Sequence, residues 1–425
     1  MKARIALAVA ASLGLAACQA DDNLTPPTSP SASAAASQEN FLSVVPEPAL
    51  DNAQRNLLAT IRGRSSTAEV NLARIAGAPG MLQKGNVLRI GVAPGVQVVA
   101  VGENVNKRSA DDVSWSGPVR GGEGWVQMVY ADGGVTATVN VGNAQYSIEP
   151  LGGGLHAVSR IDQHGYPSEH TPDNPSGALS QALDAAARAK PGTGGSTEGT
   201  VGATALTTIN VMVVYTASAA AATSNIGNLI QLAVDETNQS YVNSGINISL
   251  NKVHTAQVSY NETGTFSTHV SRLQGTSDGY MDNVHTLRNT YAADVVVLVV
   301  NDSEACGIAA AIKASATSAF AVAHYSCITG YYSFGHEIGH LQGARHDRYV
   351  DSSTSPYAYG HGFIPASKSW RTVMAYGNNC NNCTRIQYWS NPLKTYGGVA
   401  MGTATYEDNA RVLNLTAPTV AGFRP

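Results

Sequence analysis

Cysteine is scarce in this chain, and its placement is uneven. The 425 residues contain 5 cysteines, and none lies between Cys18 and Cys306. A thiolate from residues 19–305 is therefore excluded as a metal ligand. Beyond Cys18 the number of cysteines is even, which fits an oxidising compartment.

Charge is also low. Charged residues make up 13% of the chain, the formal net charge is −4, and no long block of Lys or Arg occurs. This pattern gives no basis for a nucleic-acid partner, and we expect none. The abundance of Gly, Ala, Ser and Thr is more typical of an exported bacterial protein than of a cytosolic one.

The N-terminal apolar run, residues 5–15, is too short to span a bilayer. It therefore predicts a secretory signal peptide over residues 1–17. The sequence LAAC at residues 15–18 resembles a bacterial lipobox, which implies cleavage before Cys18 and lipid attachment to it. Gln19 after the cysteine implies delivery to an outer membrane. The alternative is a plain signal peptide with an incidental cysteine. We expect an exported protein, either an outer-membrane lipoprotein or a form secreted after processing.

Changes in composition predict the domain boundaries. Residues 18–40 are rich in Pro, Ser, Ala and Thr and read as a flexible tether. Residues 41–172 carry short alternating runs separated by glycine-rich turns, which predict a β-rich domain. Two short helices are expected in it, at residues 51–62 and 68–76, from apolar residues at three-to-four spacing. Residues 173–203 contain Pro and Gly runs and read as a linker in which processing would occur.

Residues 204–425 alternate between strand and helix patterns. The runs at 208–215 and 294–300 are continuously apolar, as in a sheet that is covered on both faces. Residues 219–243 predict a long amphipathic helix, 246–259 a strand, 279–291 a helix, 306–309 an edge strand and 319–324 a buried strand. A helix over residues 333–342 follows. The pattern predicts an α/β domain.

The sequence HEIGHLQGARHD at residues 336–347 is the strongest chemical signal in the chain. His336 and His340, four residues apart, lie on one face of a helix, so both imidazoles can reach one metal ion. On a continued helix His346 would lie about 9 Å further along the axis, too far to bind the same ion. Gly343 can end the helix in the left-handed conformation and return His346 to the metal. Glu337 is then placed to deprotonate a zinc-activated water.

The same motif resembles that of the metzincin zinc endopeptidases, and Asp347 after it resembles the reprolysin (adamalysin) branch. The resemblance implies a catalytic domain with a mixed twisted sheet and a zinc-binding helix. It also implies a methionine turn, matched by TVMAY at residues 372–376 with Met374 beneath the metal. Tyr376 is at the position from which some metzincins offer a tyrosine oxygen to zinc. It is a candidate transition-state stabiliser or a packed aromatic at the rim of the site.

Residues 115–169 resemble reprolysin pro-domains more loosely, which implies a zymogen; the alternative is an independent β-rich binding module. Because no cysteine lies between Cys18 and Cys306, a pro-domain would have to block the site with a carboxylate, a histidine or steric cover. The candidates, which the sequence does not rank, are His156, His164, Glu169 and His170.

Three pairings of the four C-terminal cysteines are open. We favour Cys306–Cys327, which would tie the edge strand to the start of the zinc helix, with Cys380–Cys383 as a local loop staple. The Cys-x-x-Cys spacing could instead be redox-active or half of a second zinc site. No second pair of cysteines is present to complete such a site.

Arg385 is the one charged residue in the segment that would line the pocket for the side chain after the scissile bond, residues 377–391. An arginine there would favour an acidic residue through a bidentate pair. The sequences GYYSFG at 330–335 and YWSNP at 388–392 resemble bacterial peptidyl-Asp metalloendopeptidases, which cut on the amino side of Asp. The alternative for Arg385 is a surface ion pair.

These observations predict a zinc metalloendopeptidase with one catalytic Zn²⁺, Glu337 as general base, and a preference for Asp or Glu after the cut. Its partners would be protein or peptide substrates, and we expect a monomer; the sequence leaves a calcium requirement open. The rival is a surface adhesin that keeps the zinc site for structure only. A non-proteolytic zinc hydrolase is a second rival.

Overall fold

The computed structural model describes residues 39–169 and 205–424 of the chain. The predicted signal peptide, the lipidation site Cys18, His170 and the linker at 173–203 lie outside these residues, as does most of the tether. No helix of the described residues is long and apolar enough to cross a membrane.

The N-terminal segment, residues 39–169, forms a ten-stranded sheet with the strand order β4-β3-β1-β2-β10-β9-β8-β7-β6-β5. All neighbouring strands are antiparallel except β1 and β3. The strands are β1 Glu39–Val45, β2 Thr67–Ile75, β3 Val87–Ala93, β4 Val96–Val101, β5 Asn104–Ser109, β6 Asp112–Pro118, β7 Gly124–Ala131, β8 Gly134–Val141, β9 Ala144–Gly152 and β10 Leu155–Ile161.

Turn chemistry sets the register of this sheet. Asp132 and Gly133 link β7 to β8 with φ of 52° and 72°, the positive values that a two-residue hairpin turn requires. Ala131 therefore pairs with Gly134 and Tyr130 with Val135. Once this register is set, alternate side chains face the core, which includes Trp115.

One secondary-structure prediction in this segment is wrong. Residues 68–76 were expected to form a helix, but they belong to β2, which pairs with β1 on one side and β10 on the other. Pairing with strands distant in sequence outweighs the local three-to-four spacing of apolar residues. The helix expected at residues 51–62 is present as α1, Asn52–Gly63, which begins with a capping box formed by Asp51 and Gln54.

The C-terminal segment, residues 205–424, is built on a five-stranded mixed sheet with the order β12-β11-β13-β15-β14. Its first four strands are parallel, and β14 runs antiparallel at one edge. The strands are β11 Thr207–Thr216, β12 Ile248–Val258, β13 Val295–Val300, β14 Gly307–Ala309 and β15 Phe320–His324. Short pairs follow: β16 Trp370–Arg371 with β17 Thr384–Arg385, and β18 Asn391–Tyr396 with β19 Val399–Met401. The α/β prediction for this segment is confirmed.

Six helices accompany this sheet in the described residues: α2 Ala217–Ala221, α3 Ile226–Ser244, α4 Phe266–Gln274, α5 Asn283–Thr290, α6 Ser333–Gln342 and α7 Asn409–Val420. The helix expected over residues 219–243 is therefore two helices. The break occurs because Asn225 takes an extended conformation and caps α3, its side chain accepting from the Asn228 N–H. Helix α3 packs on β12 of its own sheet and on β7 of the N-terminal sheet, so it lies between the two segments.

The two segments have separate hydrophobic cores. One set of apolar clusters is built from residues 41–158 and another from residues 209–420. Across the described residues, the cluster that joins them is small: Tyr166 packs against Tyr331 and the Cys306–Cys327 pair. The rest of the boundary is polar, with Gln127 bonded to Gln387 and Gln145 bonded to the Gly330 carbonyl. Two units with their own cores and a polar boundary can separate without exposing a shared core.

Candidate active site

Helix α6 presents His336 and His340 to the same point. The two rings lie 4.8 Å apart between centroids, as expected for residues one turn apart. Gly339, directly before His340, lets the helix lie close to the side chains beneath it. A Cβ atom at Gly339 would stand 2.6 Å from the Trp389 ring and 3.2 Å from Sδ of Met374. The helix therefore sits closely on these two buried side chains.

Gly343 ends the helix and reverses the chain. Its φ of 106° lies in the region that favours glycine, and the next N–H, of Ala344, donates to the Gly339 carbonyl at 2.9 Å. The reversal brings Nε2 of His346 to 2.9 Å from Nε2 of His340 and 3.3 Å from Nε2 of His336. Two nitrogens bound at about 2.05 Å to one tetrahedral zinc would be about 3.3 Å apart. The structure thus brings the three predicted ligands together.

The other ring nitrogens set the tautomers. Nδ1 of His336 lies 2.9 Å from the Val373 carbonyl, and Nδ1 of His340 lies 2.9 Å from the Ala344 carbonyl. A carbonyl can only accept, so each Nδ1 carries the proton, and each Nε2 directs a lone pair at the shared point. Such bonds also hold each ring at a fixed angle.

Glu337 is buried beside these rings, and both its carboxylate oxygens lack a hydrogen-bond partner in the described structure. Burial raises the pKa of its carboxyl well above the usual range, and the carboxylate of Glu169 adds to the rise. An unpaired buried carboxylate is costly unless something compensates it. A cation at the three imidazoles, or a water between them and Glu337, would do so.

The predicted methionine turn lies under the helix. Met374 is fully buried. Asp347 accepts the Tyr376 N–H at 2.8 Å, which ties the segment after His346 to the turn. The Tyr376 ring centroid lies 4.1 Å from that of His346, and its buried hydroxyl has no hydrogen-bond partner in the described structure. Tyr376 is therefore close enough to the imidazoles to face a reacting group.

Arg385 lies inside the cleft rather than on the surface, with 1% of its area exposed. Its alternative role as a surface ion pair is excluded by this burial. Nη1 pairs with the carboxylate of Glu169, from the N-terminal segment, and donates to the Tyr331 carbonyl at 3.0 Å. The guanidinium also stacks 4.2 Å from the Tyr331 ring centroid.

Comparison with known proteins decides the family. Residues 205–390 match the reprolysin-type family described as Metallo-peptidase family M12. Over 292 residues the chain is 46% identical to a peptidyl-Asp metalloendopeptidase of Xanthomonas campestris pv. campestris, spanning 68% of this chain and 67% of that protein. A peptidyl-Asp metalloendopeptidase of Stenotrophomonas maltophilia is 46% identical over 295 residues, spanning 68% of each chain. The chain belongs to metallopeptidase family M12.

Among solved structures, this chain is similar to metalloproteinase-II from Bacteroides fragilis. The TM-score is 0.38 at 12% identity, covering 63% of this chain and 84% of that one. The identity to the two relatives is sufficient to make this chain a metzincin-like metalloendopeptidase. The adhesin alternative is set aside.

A family M12 enzyme requires a metal cofactor, and the donor set fits one. In the described part of the chain, two groups of potential ligands cluster: His336, His340 and His346, and separately Glu169, His336 and Glu337. Three neutral imidazoles with an adjoining carboxylate match a catalytic site that keeps one position open for water or substrate.

The cysteine pairs are those that the sequence favoured. Cys306–Cys327 and Cys380–Cys383 are both disulfides in the structure. The first joins the residue before edge strand β14 to the loop before α6, so it links both sides of the cleft. The second lies in the segment that leads to Arg385. With both sulfurs in a disulfide, Cys380 and Cys383 are not placed as ligands of a second zinc.

The candidate latency residues differ widely in position. His156 is buried in the N-terminal sheet, where Nε2 accepts the Val135 N–H at 2.9 Å. His164 is exposed and pairs with Asp162. Glu169 is the described candidate that pairs with Arg385 and lies beside His336 and Glu337. Of the histidines near the motif, His361 holds the His346 carbonyl through Nδ1 at 2.7 Å, and His324 contacts Ser326.

Two residues of the site were not identified from the sequence. Gly307 on β14 packs directly against Glu337, and Ser333 at the start of α6 donates to Glu169 at 2.9 Å. Both contacts join residues that are distant in the sequence, and neither residue type signals its role. The edge strand predicted at residues 306–309 was the only available sign for Gly307.

Proposed function

We propose that this metalloendopeptidase is zinc-dependent, with one Zn²⁺ bound by His336, His340 and His346 and with Glu337 as general base. The observation that carries the proposal is the convergence of three Nε2 atoms beside a buried carboxylate without a partner. When bound, zinc would supply Lewis acidity that lowers the pKa of water and polarises the scissile carbonyl.

The protein groups have defined tasks in this proposal. A carboxylate oxygen of Glu337 takes the proton of the attacking water and passes it to the leaving amine, which requires it to stay unpaired and close to both. The Tyr376 hydroxyl, also unpaired, donates to the oxygen of the scissile carbonyl as negative charge develops on it. Asp347 holds the backbone of Tyr376, so the hydroxyl stays on the correct side of the cleft.

We further propose that Arg385 selects an acidic residue after the scissile bond. It is buried in the cleft wall, and its Nε and Nη2 atoms have no hydrogen-bond partner in the described structure. A guanidinium with free donors in a buried pocket matches a carboxylate in charge and in planar geometry. The carboxylate that it already binds, Glu169, supports this preference, and so does the name that the relatives carry.

Digestion of a protein mixture followed by sequencing of the fragments tests this preference. Cuts should fall before Asp or Glu, and the Arg385→Ala enzyme should lose about 10²-fold in kcat/KM on an Asp peptide, the scale of a lost buried charge pair. It should keep its rate on the matched Asn peptide. Arg348→Ala, which removes an exposed arginine, is the control. Equal losses on both peptides would contradict a specificity role.

We also propose that residues 41–172 act as a pro-domain and that the mature enzyme, a monomer, starts in the segment 173–203. Self-processing at Leu183-Asp184 would fit the acidic preference, because Asp184 would follow the cut. N-terminal sequencing of the mature form tests this.

Export with lipid attachment at Cys18 is part of the same proposal. Labelled palmitate should enter the wild-type protein in bacteria but not the Cys18→Ser variant.

A further inference from the structure

We infer that residues 163–169 bind in the cleft as an internal mimic of substrate, with Glu169 in the place of the acidic side chain that follows a scissile bond. In this role the segment keeps the uncleaved chain inactive. The inference rests on the proposed specificity of Arg385. It adds three points: Glu169 occupies that pocket, a second residue beside Arg385 lines it, and the bound segment keeps the enzyme inactive.

The pocket around Glu169 is built from the C-terminal segment. Glu169 is 4% exposed, and one carboxylate oxygen receives both the Arg385 guanidinium and the Ser333 hydroxyl. Burial alone would raise the pKa of this carboxyl, but Arg385 holds it below the usual range, so Glu169 stays charged. A buried carboxylate between a guanidinium and a hydroxyl is bound as a ligand would be. Ser333 is therefore the second specificity residue of the pocket.

Glu169 also reaches the catalytic groups. A ligand atom of Glu169 lies within 4.8 Å of one on Glu337 and of one on His336. The second carboxylate oxygen of Glu169 has no hydrogen-bond partner in the described structure. A peptide substrate cannot place its own side chain at Arg385 and its scissile bond at Glu337 while this carboxylate is present.

The residues before Glu169 lie along the cleft as a bound peptide would. The Ser168 carbonyl accepts the Cys306 N–H at 3.0 Å, next to edge strand β14, whose free side can pair with an extended chain. Tyr166 stacks on Tyr331 at 4.4 Å between ring centroids. The side chain of Gln163 closes the segment by bonding both the N–H and the carbonyl of Arg385, at 2.7 and 3.2 Å.

This arrangement leaves little room for substrate. The cleft between the segment and the C-terminal wall keeps a cavity of about 150 Å³, bounded by Gln163, Glu169, Tyr331, Tyr376, Gly377 and Arg385. Pockets that take even drug-sized ligands are larger, about 300–1,000 Å³. Release of the segment would open it, and the hydrogen-bonded boundary between the two segments makes release feasible after cleavage in residues 173–203.

Peptide binding to the uncleaved full-length chain tests the inference without relying on turnover. All variants carry Glu337→Gln, which prevents self-cleavage, and are loaded with zinc. The probe is a fluorescein-labelled peptide with Asp after the expected scissile bond, followed by anisotropy. We expect Glu169→Gln to tighten binding at least about tenfold, because the pocket loses its charged occupant. Glu47→Gln, which removes an exposed carboxylate elsewhere in the N-terminal segment, should bind like the parent.

A second variant tests whether the change in affinity comes from release of the segment rather than from disturbance of the cleft by an unpaired Arg385. Gln163→Ala keeps the Glu169–Arg385 pair but removes the two bonds that hold the segment, so it should also tighten peptide binding, by a smaller factor. The matched peptide with Asn should gain little in either variant. Ser333→Ala added to Glu169→Gln should weaken the Asp peptide more than the Asn peptide.

The outcomes separate this inference from the proposed function. If Glu169→Gln and Gln163→Ala leave peptide affinity unchanged while the cleaved enzyme still prefers Asp through Arg385, the substrate mimic is wrong and the proposed function stands. If the cleaved enzyme shows no preference that depends on Arg385, the pocket assignment fails, and the mimic fails with it. If the two variants bind the Asp peptide more tightly but not the Asn peptide, the result supports both the substrate mimic and the pocket assignment.

Discussion

Gly307 and Glu337 are in direct contact across the cleft. A Cβ atom at residue 307 would lie 2.4 Å from Oε1 of Glu337 and 2.7 Å from its Cγ, closer than real Cβ atoms come. Edge strand β14 therefore fixes one side of the carboxylate, and the absence of a side chain at Gly307 leaves room for it. The strand that pairs with an extended chain thus also positions the proposed base.

Replacing Gly307 with Ala should move Glu337 and reduce activity with little effect on metal binding. A displacement of about 1 Å at a catalytic group can cost about 10²-fold in rate, so kcat should fall by that order. Steady-state kinetics of the cleaved enzyme and its zinc content by mass spectrometry check this. Gly422→Ala, in the C-terminal segment, where the nearest atom to an added Cβ would be the Pro418 carbonyl oxygen at 3.5 Å, should keep full activity. A wild-type kcat in Gly307→Ala would show that the added methyl group does not displace Glu337 from its working position, which would contradict this prediction.

Loss of His346 should weaken zinc binding more than loss of any supporting residue. Changes to groups that support metal ligands cost about 10–100-fold in affinity, so removal of a ligand should exceed about 10²-fold. Competition with a chromogenic chelator measures the Kd for His346→Ala. His254→Ala is the control, because that ring stacks on Tyr291 away from the site. Equal zinc affinity in both variants would remove His346 from the ligand set.

The stability of the uncleaved chain should depend on pH through Glu236, which lies between the two segments. Burial raises the pKa of Glu236 to about 8, although the Thr138 hydroxyl and the Gly330 N–H lower it; Asp235 raises it further. The folded carboxyl keeps its proton above the pH at which the unfolded one loses it, near 4.5. Its contribution to stability is therefore full below pH 4.5 and lost as pH rises through about 8.

Urea unfolding of the full chain at pH 5 and pH 8 checks this expectation. The midpoint should fall with rising pH, and the fall should be smaller in Glu236→Gln, which cannot ionise. Glu47→Gln removes an exposed carboxylate and should keep the wild-type slope. A Glu236→Gln slope equal to that of the wild type would mean that Glu236 does not titrate in this range.

The geometry of the histidine cluster was predictable because it is local. Two imidazoles at four-residue spacing and a glycine at the helix end determine a convergence within eleven residues, and the structure shows it at Gly343 and His346. The strands of the C-terminal sheet were predictable for a similar reason, since long apolar runs are strong signals. The Cys306–Cys327 disulfide followed from the expected closeness of the edge strand to helix α6, and Cys380–Cys383 from the short spacing of the two residues.

Contacts between distant residues were not predictable from the pattern. The sequence offered Glu169 as one of four unranked candidates, because 216 residues separate it from Arg385. Strand β2 was expected to be helical from the spacing of its apolar residues. Its pairing with β1 and β10 depends on the whole sheet and leaves no local signal. Helices α4 and α7 were missed, since short amphipathic segments among polar residues give weak periodicity.

The proposed peptide hydrolysis depends on Glu337 acting as a base beside a metal held by the three histidines. The most direct measurement is peptide hydrolysis and metal content of the cleaved Glu337→Gln enzyme, side by side with the wild type. We predict one zinc per chain in both and a rate about 10²–10⁴-fold lower in the variant, the range for loss of general-base catalysis. Wild-type turnover by pure, zinc-loaded Glu337→Gln protein would contradict the account.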